Sequence, residues 1–458
     1  CVLTPTLPYC SSLVYPLFTS LKPFHEIMIY LSISLLGIND YAGIIVSVLF
    51  GVMTIPLVYF IGKELYDKKI GLIAALLLAV VNLHILFSRT ALSEIGALFF
   101  ATLSVLLYIL SRKTKKKSLY LFATGAGLGI VFGMRYAYLI FIAFFVLNEL
   151  IEFLKHKKYK ILVKNLSLIA LGLLSVILLI AIVYFAAGIS FTSILGYRMS
   201  FFEPFSGLSP GSNASYTQPE VVGRYGQITL SSTVRSTFIY LYYLFRLISP
   251  VILLFLVLGI ISSVKNKKTH LDLIWLLSLI LVTLLIQHNA ARDLIIMLPP
   301  IVTLAALGIQ KISYNKKELL GLILGIVVVL SFINMIPTLQ ITKGAYSEAA
   351  DYLTVQNAGE VGVNNQTQLL SFYYDGKVTV FKNIEEVKQF NGNYIVVDTS
   401  QLSDSASQQT FCGYQPQKII PIEKEYWKFY NENSWQSKLI EKLNISIVSD
   451  LFERMQFH

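Results

Sequence analysis

Runs of about twenty consecutive apolar residues constrain this chain more than any other feature, because that is the length of helix that crosses a hydrocarbon core of about 30 Å. "YAGIIVSVLFGVMTIPLVYFIG" from Tyr41 and "LSLIALGLLSVILLIAIVYFAAG" from Leu166 are two of them. A backbone exposed to lipid must satisfy its own hydrogen bonds, and these runs are far stronger than the alternating pattern of barrel strands, so they read as helices. Composition agrees. Of 458 residues, 55% are hydrophobic and 14% charged, against about a quarter charged in a soluble domain. The fold class expected is a polytopic α-helical membrane protein with ten spans, near 41–62, 70–87, 94–110, 118–134, 136–152, 165–187, 238–262, 271–287, 294–311 and 318–337.

The net charge of +11 does not read as a nucleic-acid surface, because much of it sits in short loops between spans. Five loops are lysine-rich: "KELYDKK" at 63, "SRKTKKKS" at 111, "KHKKYKILVK" at 155, "KNKK" at 265 and "KISYNKK" at 311. They hold nineteen Lys or Arg residues, which makes them cytoplasmic by the positive-inside rule. The alternate connections then face outward: the turn 88–93, the short turn at Arg135, the long loop 188–237 and the turn "HNAAR" at 288. Between residues 41 and 337 this outer side carries no lysine; its cations are Arg89, Arg135, Arg198, Arg224, Arg235 and Arg292. A guanidinium matches a phosphate with two parallel donors, which an ammonium cannot do. Arginines at several turns on one side therefore point to a shared anionic site. Separate snorkelling of each to headgroups is the alternative.

Three domains of the chain are distinguished: a membrane domain over residues 1–337, the long external loop 188–237 within it, and a polar segment 338–458. The last reads as a small extracytoplasmic α/β domain. In it "GAYSEAADYLTV" is an amphipathic helix, "QLLSFYYDGKVTVF" strands around an Asp-Gly turn, "NIEEVKQF" a capped helix and "NYIVVDTS" a buried strand. If the loop at 63 is inside, residues 1–40 are outside without a preceding span, which implies a missing N-terminal helix. Cys1, Cys10 and Cys412 give no disulfide framework.

Two constellations bear chemistry. Arg89 and Glu94 bracket the external turn between the second and third spans, where ionisable groups are costly and rarely kept without a partner or role. They reach one pocket at the membrane surface, or form a local ion pair closing a helical hairpin. In "LKPFHEIMIYLSISLLGINDYAG" from Leu21, His25 and Glu26 precede a short amphipathic helix, and Asp40 is a candidate helix cap. With Glu94 they offer an imidazole and two carboxylates, enough for general-base work or for a loosely held divalent metal.

Residues 21–100 resemble the N-terminal half of the C-type membrane glycosyltransferases, in the branch of the dolichyl-phosphate-mannose protein mannosyltransferases and the lipid A aminoarabinose transferases. "YFIGKELYDKKIGLIAALLLA" follows a family pattern closely, and "FSRTALSE" matches the turn that follows it, with Arg89 and Glu94 on the family's arginine and acidic positions. "GMRYAYLIF" sets Arg135 at a basic position, and "ARDLIIMLPPIVTLAALG" carries Arg292 as its arginine. The family's first-loop aspartate has no match, since residues 1–25 contain no Asp or Glu; the proline pair that usually follows the histidine is replaced by Glu26 and Ile27.

The resemblance implies transfer of a sugar from a polyprenyl-phosphate donor to a lipid, glycan or protein acceptor at the external face of the plasma membrane, with inversion. An acidic residue then acts as base toward the acceptor hydroxyl, which puts Glu94 and Glu26 in catalytic positions. Arg89, Arg135, Arg292 and His25 would bind substrate, the arginines stabilising the departing lipid phosphate. Two alternatives stand beside it. A transporter or flippase of lipid-linked sugars predicts internal repeats or Gly/Pro-broken spans at midplane, and the sequence shows no repeat. A non-catalytic scaffold predicts a membrane domain without convergent polar residues. The loop 188–237 is long enough to be a lid over the donor site.

Overall fold

The computed structural model describes residues 22–37, 39–186, most of 237–265, 271–286, 291–314, 316–339, 345–364, and residues 370, 374, 376–381, 390 and 394–396. The long loop apart from its last position, the three cysteines, Arg198, Arg224, Arg235, the segment "NIEEVKQF" apart from Phe390, and residues 397–458 lie outside these residues. The chain divides into two compact units, essentially Tyr9–Met335 and Ile336–His458.

The first unit is helical throughout its described length. Its helices are α1 (Pro23–Leu36), α2 (Asp40–Leu65), α3 (Lys68–Val80), α4 (Asn82–Ser88), α5 (Ser93–Ser111), α6 (Lys117–Met134), α7 (Ile142–His156), α8 (Tyr159–Ala186), α9 (Pro250–Lys265), α10 (Leu271–Ile286), α11 (Leu298–Ile312) and α12 (Lys317–Leu339). Six described helices are long and apolar enough to cross a membrane, or seven if α3 and α4 count as one span bent by 60°. The chain is thus an integral membrane protein with several spans. The segments expected at 136–152, 238–262 and 271–287 give the shorter helices α7, α9 and α10.

Local chemistry accounts for several boundaries. Asn39, one residue before the cap expected at Asp40, accepts the Ala42 N–H at 2.9 Å and starts α2. Asp67 does the same for α3 through Ile70 at 2.9 Å, each satisfying a first-turn donor that has no partner within its helix. The expected span 70–87 is broken at Val81, whose backbone is extended at φ −69° and ψ 120°. Neither Gly nor Pro marks that break. Pro299 and Pro300, by contrast, stand in the first turn of α11, where a missing N–H costs nothing.

Glycine sets the closest helix approaches. A Cβ on Gly125 would overlap the Ile169 carbonyl, and one on Gly172 the Phe122 carbonyl, so α6 and α8 cross backbone to backbone. Gly259 and Gly308 do the same for α9 and α11. Such contacts matter between spans, where lipid is as apolar as leucine and packing rather than water expulsion drives association.

The packing gathers charge at two ends. At one end the lysine-rich turns meet: Lys113 Nζ reaches Glu64 Oε2 at 2.8 Å, Gln310 Nε2 donates to Asp67 Oδ2 at 2.8 Å, and the Tyr66 hydroxyl donates to buried Asp272. The other ends of the same helices carry Glu94, Arg135 and Arg292. Buried Phe141, Phe144, Phe145, Tyr108 and Trp275 form one aromatic cluster, with centroids 4.8 to 6.0 Å apart across its contacting pairs. It ties the 3-10 segment Tyr136–Phe141 to α5, α7 and α10.

The second unit contains helix α13 (Ala345–Val355) and strands β1 (Glu360–Asn364), β2 (Lys377–Phe381) and β3 (Tyr394–Val396). They form a parallel sheet in the order β2-β1-β3. Ala349, Ala350 and Leu353 of the helix share a core with Val361, Val363, Leu370 and Tyr374. Among the described residues the expected hairpin around the Asp-Gly turn is not seen. β2 begins just after Gly376, but Leu370 lies in a helical turn and β2 pairs in parallel with β1. Burying Leu370 and Tyr374 against the helix and β1 uses the apolar side chains that a first hairpin strand would have aligned.

Candidate functional site

The turn between α4 and α5 is built by short-range bonds. The Thr90 hydroxyl donates to the Phe87 carbonyl at 2.9 Å, and the Arg89 N–H to the Leu86 carbonyl at 3.2 Å. Ser47 of α2 donates across to the Leu92 carbonyl at 3.2 Å. α5 then starts at Ser93, so Glu94 lies in its first turn, where the helix dipole favours a carboxylate. Glu94 is 1% exposed. It faces inward because Ile95, Ala97 and Leu98 around it are also buried and the neighbouring helices close over this end.

Two arginines reach Glu94 from distant parts of the chain. Arg135 ends α6 in an extended conformation, φ −154° and ψ 97°, with its N–H still bonded to the Val131 carbonyl at 2.7 Å. Its Nη1 lies 2.6 Å from Glu94 Oε1, and its side chain is 8% exposed. Arg292 comes from the 3-10 segment Ala291–Met297 that leads into α11. Its Nε lies 4.0 Å from the same oxygen, with the side chain 41% exposed. The second carboxylate oxygen, Oε2, is buried and makes no hydrogen bond. Glu94 thus holds a buried partner and an accessible one on a single oxygen. The Arg135 contact is a short charge-assisted hydrogen bond, whereas Arg292 stands at ion-pair distance without one.

A third cation stands beside them. Lys22 precedes α1 and lies within electrostatic reach of Arg135, Glu94, Arg292 and Glu26. Burial, followed by Arg135, lowers its pKa from the ordinary lysine value. His25, partly buried one turn further, has its pKa lowered to about 4, chiefly by burial and then by Lys22; a hydrogen bond to the Ala91 carbonyl and the charge of Glu94 oppose this. It is neutral at pH 7. Lys22, Arg135 and Arg292 thus stand within electrostatic reach of one another and of the carboxylates Glu26 and Glu94.

Of the residues singled out in the sequence, Glu94, Arg135 and Arg292 come together, with His25 and Glu26 on the adjoining helix α1. Arg89 does not join the pair; it is exposed at the end of α4, and Glu94 takes Arg135 and Arg292 in its place. No hairpin-closing Arg89–Glu94 pair is present among the described residues. His25, Glu26 and Glu94 do not form a metal-ligand cluster, and no other group of three His, Cys, Asp or Glu does so among the described residues.

Two contributors are not among the residues that the sequence singles out. Lys22 does carry a signal, as the only Lys or Arg before residue 63. Tyr138 carries none: its ring centroid lies 5.4 Å from Arg135 Cζ, and its hydroxyl donates to the Arg292 carbonyl at 2.9 Å. A membrane domain without convergent polar residues would favour the scaffold alternative; here Glu94, Arg135 and Arg292 converge.

Residues 20–185 match the dolichyl-phosphate-mannose-protein mannosyltransferase family. No curated protein matches the chain. Among solved structures, ArnT from Cupriavidus metallidurans in the apo state is similar at 10% identity and a TM-score of 0.50, covering 83% of this chain and 80% of its own. The same protein bound to undecaprenyl phosphate aligns at 10% identity and a TM-score of 0.43, over 77% of this chain and 64% of that one. The Archaeoglobus fulgidus oligosaccharyltransferase in the apo form aligns at 13% identity and 0.46, over 83% and 57%. The likeness to apo ArnT is one of fold, and the family match lies on the helices that carry Glu94 and Arg135. Over residues 20–185 the chain is thus similar to the dolichyl-phosphate-mannose-protein mannosyltransferases, and its fold is similar to that of apo ArnT.

Proposed function

We propose that the chain transfers a sugar from a polyprenyl-phosphate donor to a hydroxyl of a lipid, glycan or protein acceptor at the external face of the plasma membrane. The observation that carries this reading is the convergence of Arg135 and Arg292 on one buried carboxylate at the end of the bundle opposite the lysine-rich turns. The positive-inside rule makes that end external. The C-terminal unit then belongs to the extracytoplasmic side, since α12 starts from a lysine-rich turn.

In the proposed reaction the acceptor oxygen attacks the anomeric carbon from the face opposite the phosphate. The bond between that carbon and the phosphate oxygen breaks, and polyprenyl phosphate leaves with one more negative charge than it carried in the donor. Arg292, the accessible cation, and Arg135 with Lys22 behind it, stabilise that charge as it develops. Glu94 holds the guanidinium of Arg135 in place before the donor arrives. The acceptor proton goes to a carboxylate of the first external segment, for which Glu26 is the described candidate.

Undecaprenyl phosphate binding by the full chain in lipid nanodiscs tests the reading. Arg292→Ala is expected to weaken it at least about tenfold, the loss of one charge-assisted contact of about 1.5–3 kcal/mol. Binding equal to wild type would remove the phosphate role. Release of free polyprenyl phosphate on adding a lipid-linked sugar and an acceptor separates transfer from transport, because a flippase returns its lipid-linked sugar intact.

A further inference from the structure

We propose that Tyr138 is a positioning residue that couples the two arginines of the anion site, so that the grip on the lipid phosphate depends on a side chain that does not itself touch it. The inference rests on the reading of Arg135 and Arg292 as phosphate contacts. Both arginines stand where the regular helices give way to 3-10 segments, Tyr136–Phe141 after α6 and Ala291–Met297 before α11. Such segments have poorer hydrogen-bond geometry than an α-helix, so bonds from outside the segment bear more on where they sit.

Tyr138 supplies ties to both. Its N–H donates to the Arg135 carbonyl at 2.9 Å, closing the turn that follows the arginine. Its ring lies 5.4 Å from the Arg135 guanidinium carbon, within the range of a cation–π contact. Its hydroxyl donates to the main-chain carbonyl of Arg292 at 2.9 Å, 154 positions further along the chain. The side chain is buried, 4% exposed, so the hydroxyl needs a partner. The partner it has is the backbone of the accessible cation. The Arg292 side chain is long and 41% exposed, so what limits where its head can sit is the position of its Cα. A bond to its own carbonyl fixes that position directly.

Tyr138→Phe keeps the ring over Arg135 and removes only the bond to Arg292. It is expected to weaken undecaprenyl phosphate binding about fivefold, the scale of one neutral hydrogen bond. In the Arg292→Ala background the same change is expected to have no further effect, because Tyr138 acts through Arg292. Wild-type affinity in Tyr138→Phe would overturn the proposal, and so would an equal loss in both backgrounds, which marks a general structural role. If Arg292→Ala itself binds as tightly as wild type, the phosphate reading falls and takes the positioning role with it. A second measurement needs no variant. Amide hydrogen exchange on the wild-type chain is expected to slow in 136–141 and 291–297 together when undecaprenyl phosphate binds; protection confined to one segment would break the coupling.

Discussion

Replacing Glu94 by Gln separates the two arginines energetically, because they share one oxygen at different distances and exposures. At an effective dielectric of about 20, unit charges at the 2.6 Å separation of Arg135 attract by about 6 kcal/mol, and at the 4.0 Å of Arg292 by about 4 kcal/mol. Desolvation offsets much of the first, and solvent screens most of the second because the Arg292 side chain is 41% exposed. What differs is the state left behind. Without the carboxylate, Arg135 keeps its charge at 8% exposure, a cost of about 3–5 kcal/mol. Arg292 turns to water at a cost of about 1 kcal/mol or less. Double-mutant cycles of Glu94→Gln with Arg135→Met and with Arg292→Met, followed by reversible unfolding in mixed SDS and dodecylmaltoside micelles, measure both couplings. The expected result is a coupling of about 2 kcal/mol or more with Arg135 and under about 1 kcal/mol with Arg292. Equal couplings, or Glu94→Gln as stable as wild type, would refute the account of Glu94 as the fixed partner of Arg135.

Two further outcomes follow from the packing and from His25. Gly125→Leu is expected to prevent α6 and α8 from docking, because its first side-chain carbon already overlaps the Ile169 carbonyl; size-exclusion profiles in detergent should show loss of the folded peak, while Gly321→Leu, in open space, should leave it intact. Burial holds His25 neutral with a pKa near 4 against an ordinary 6.5, so the unfolded chain takes up a proton first as pH falls. Its contribution is intact above pH 6.5 and is lost progressively between about 6.5 and about 4. Thermal melts at pH 7.5 and 5 should therefore diverge more for wild type than for His25→Gln, and parallel shifts would contradict this.

The membrane class, the helical nature of the spans and the division between lysine-rich and lysine-free turns are properties of short stretches. Apolar runs and loop charges act through the bilayer, which meets each segment separately, and could be read from the sequence alone. So could the candidates Glu94, Arg135 and Arg292, since a charge at a membrane edge stands out wherever its partner lies. Their mutual contact could not. Arg135 is 41 positions from Glu94 and Tyr138 is 154 from Arg292, and which turns meet depends on glycine crossings and an aromatic cluster formed by helices far apart in the chain. The same reason hides the bend at Val81, the exclusion of Arg89 from the pair, and the parallel pairing of β2 with β1. Sequence determined which segments are apolar helices and which end carries the arginines; tertiary packing decided which of them share a carboxylate, because that choice is made by side chains that become neighbours only after the helices have docked.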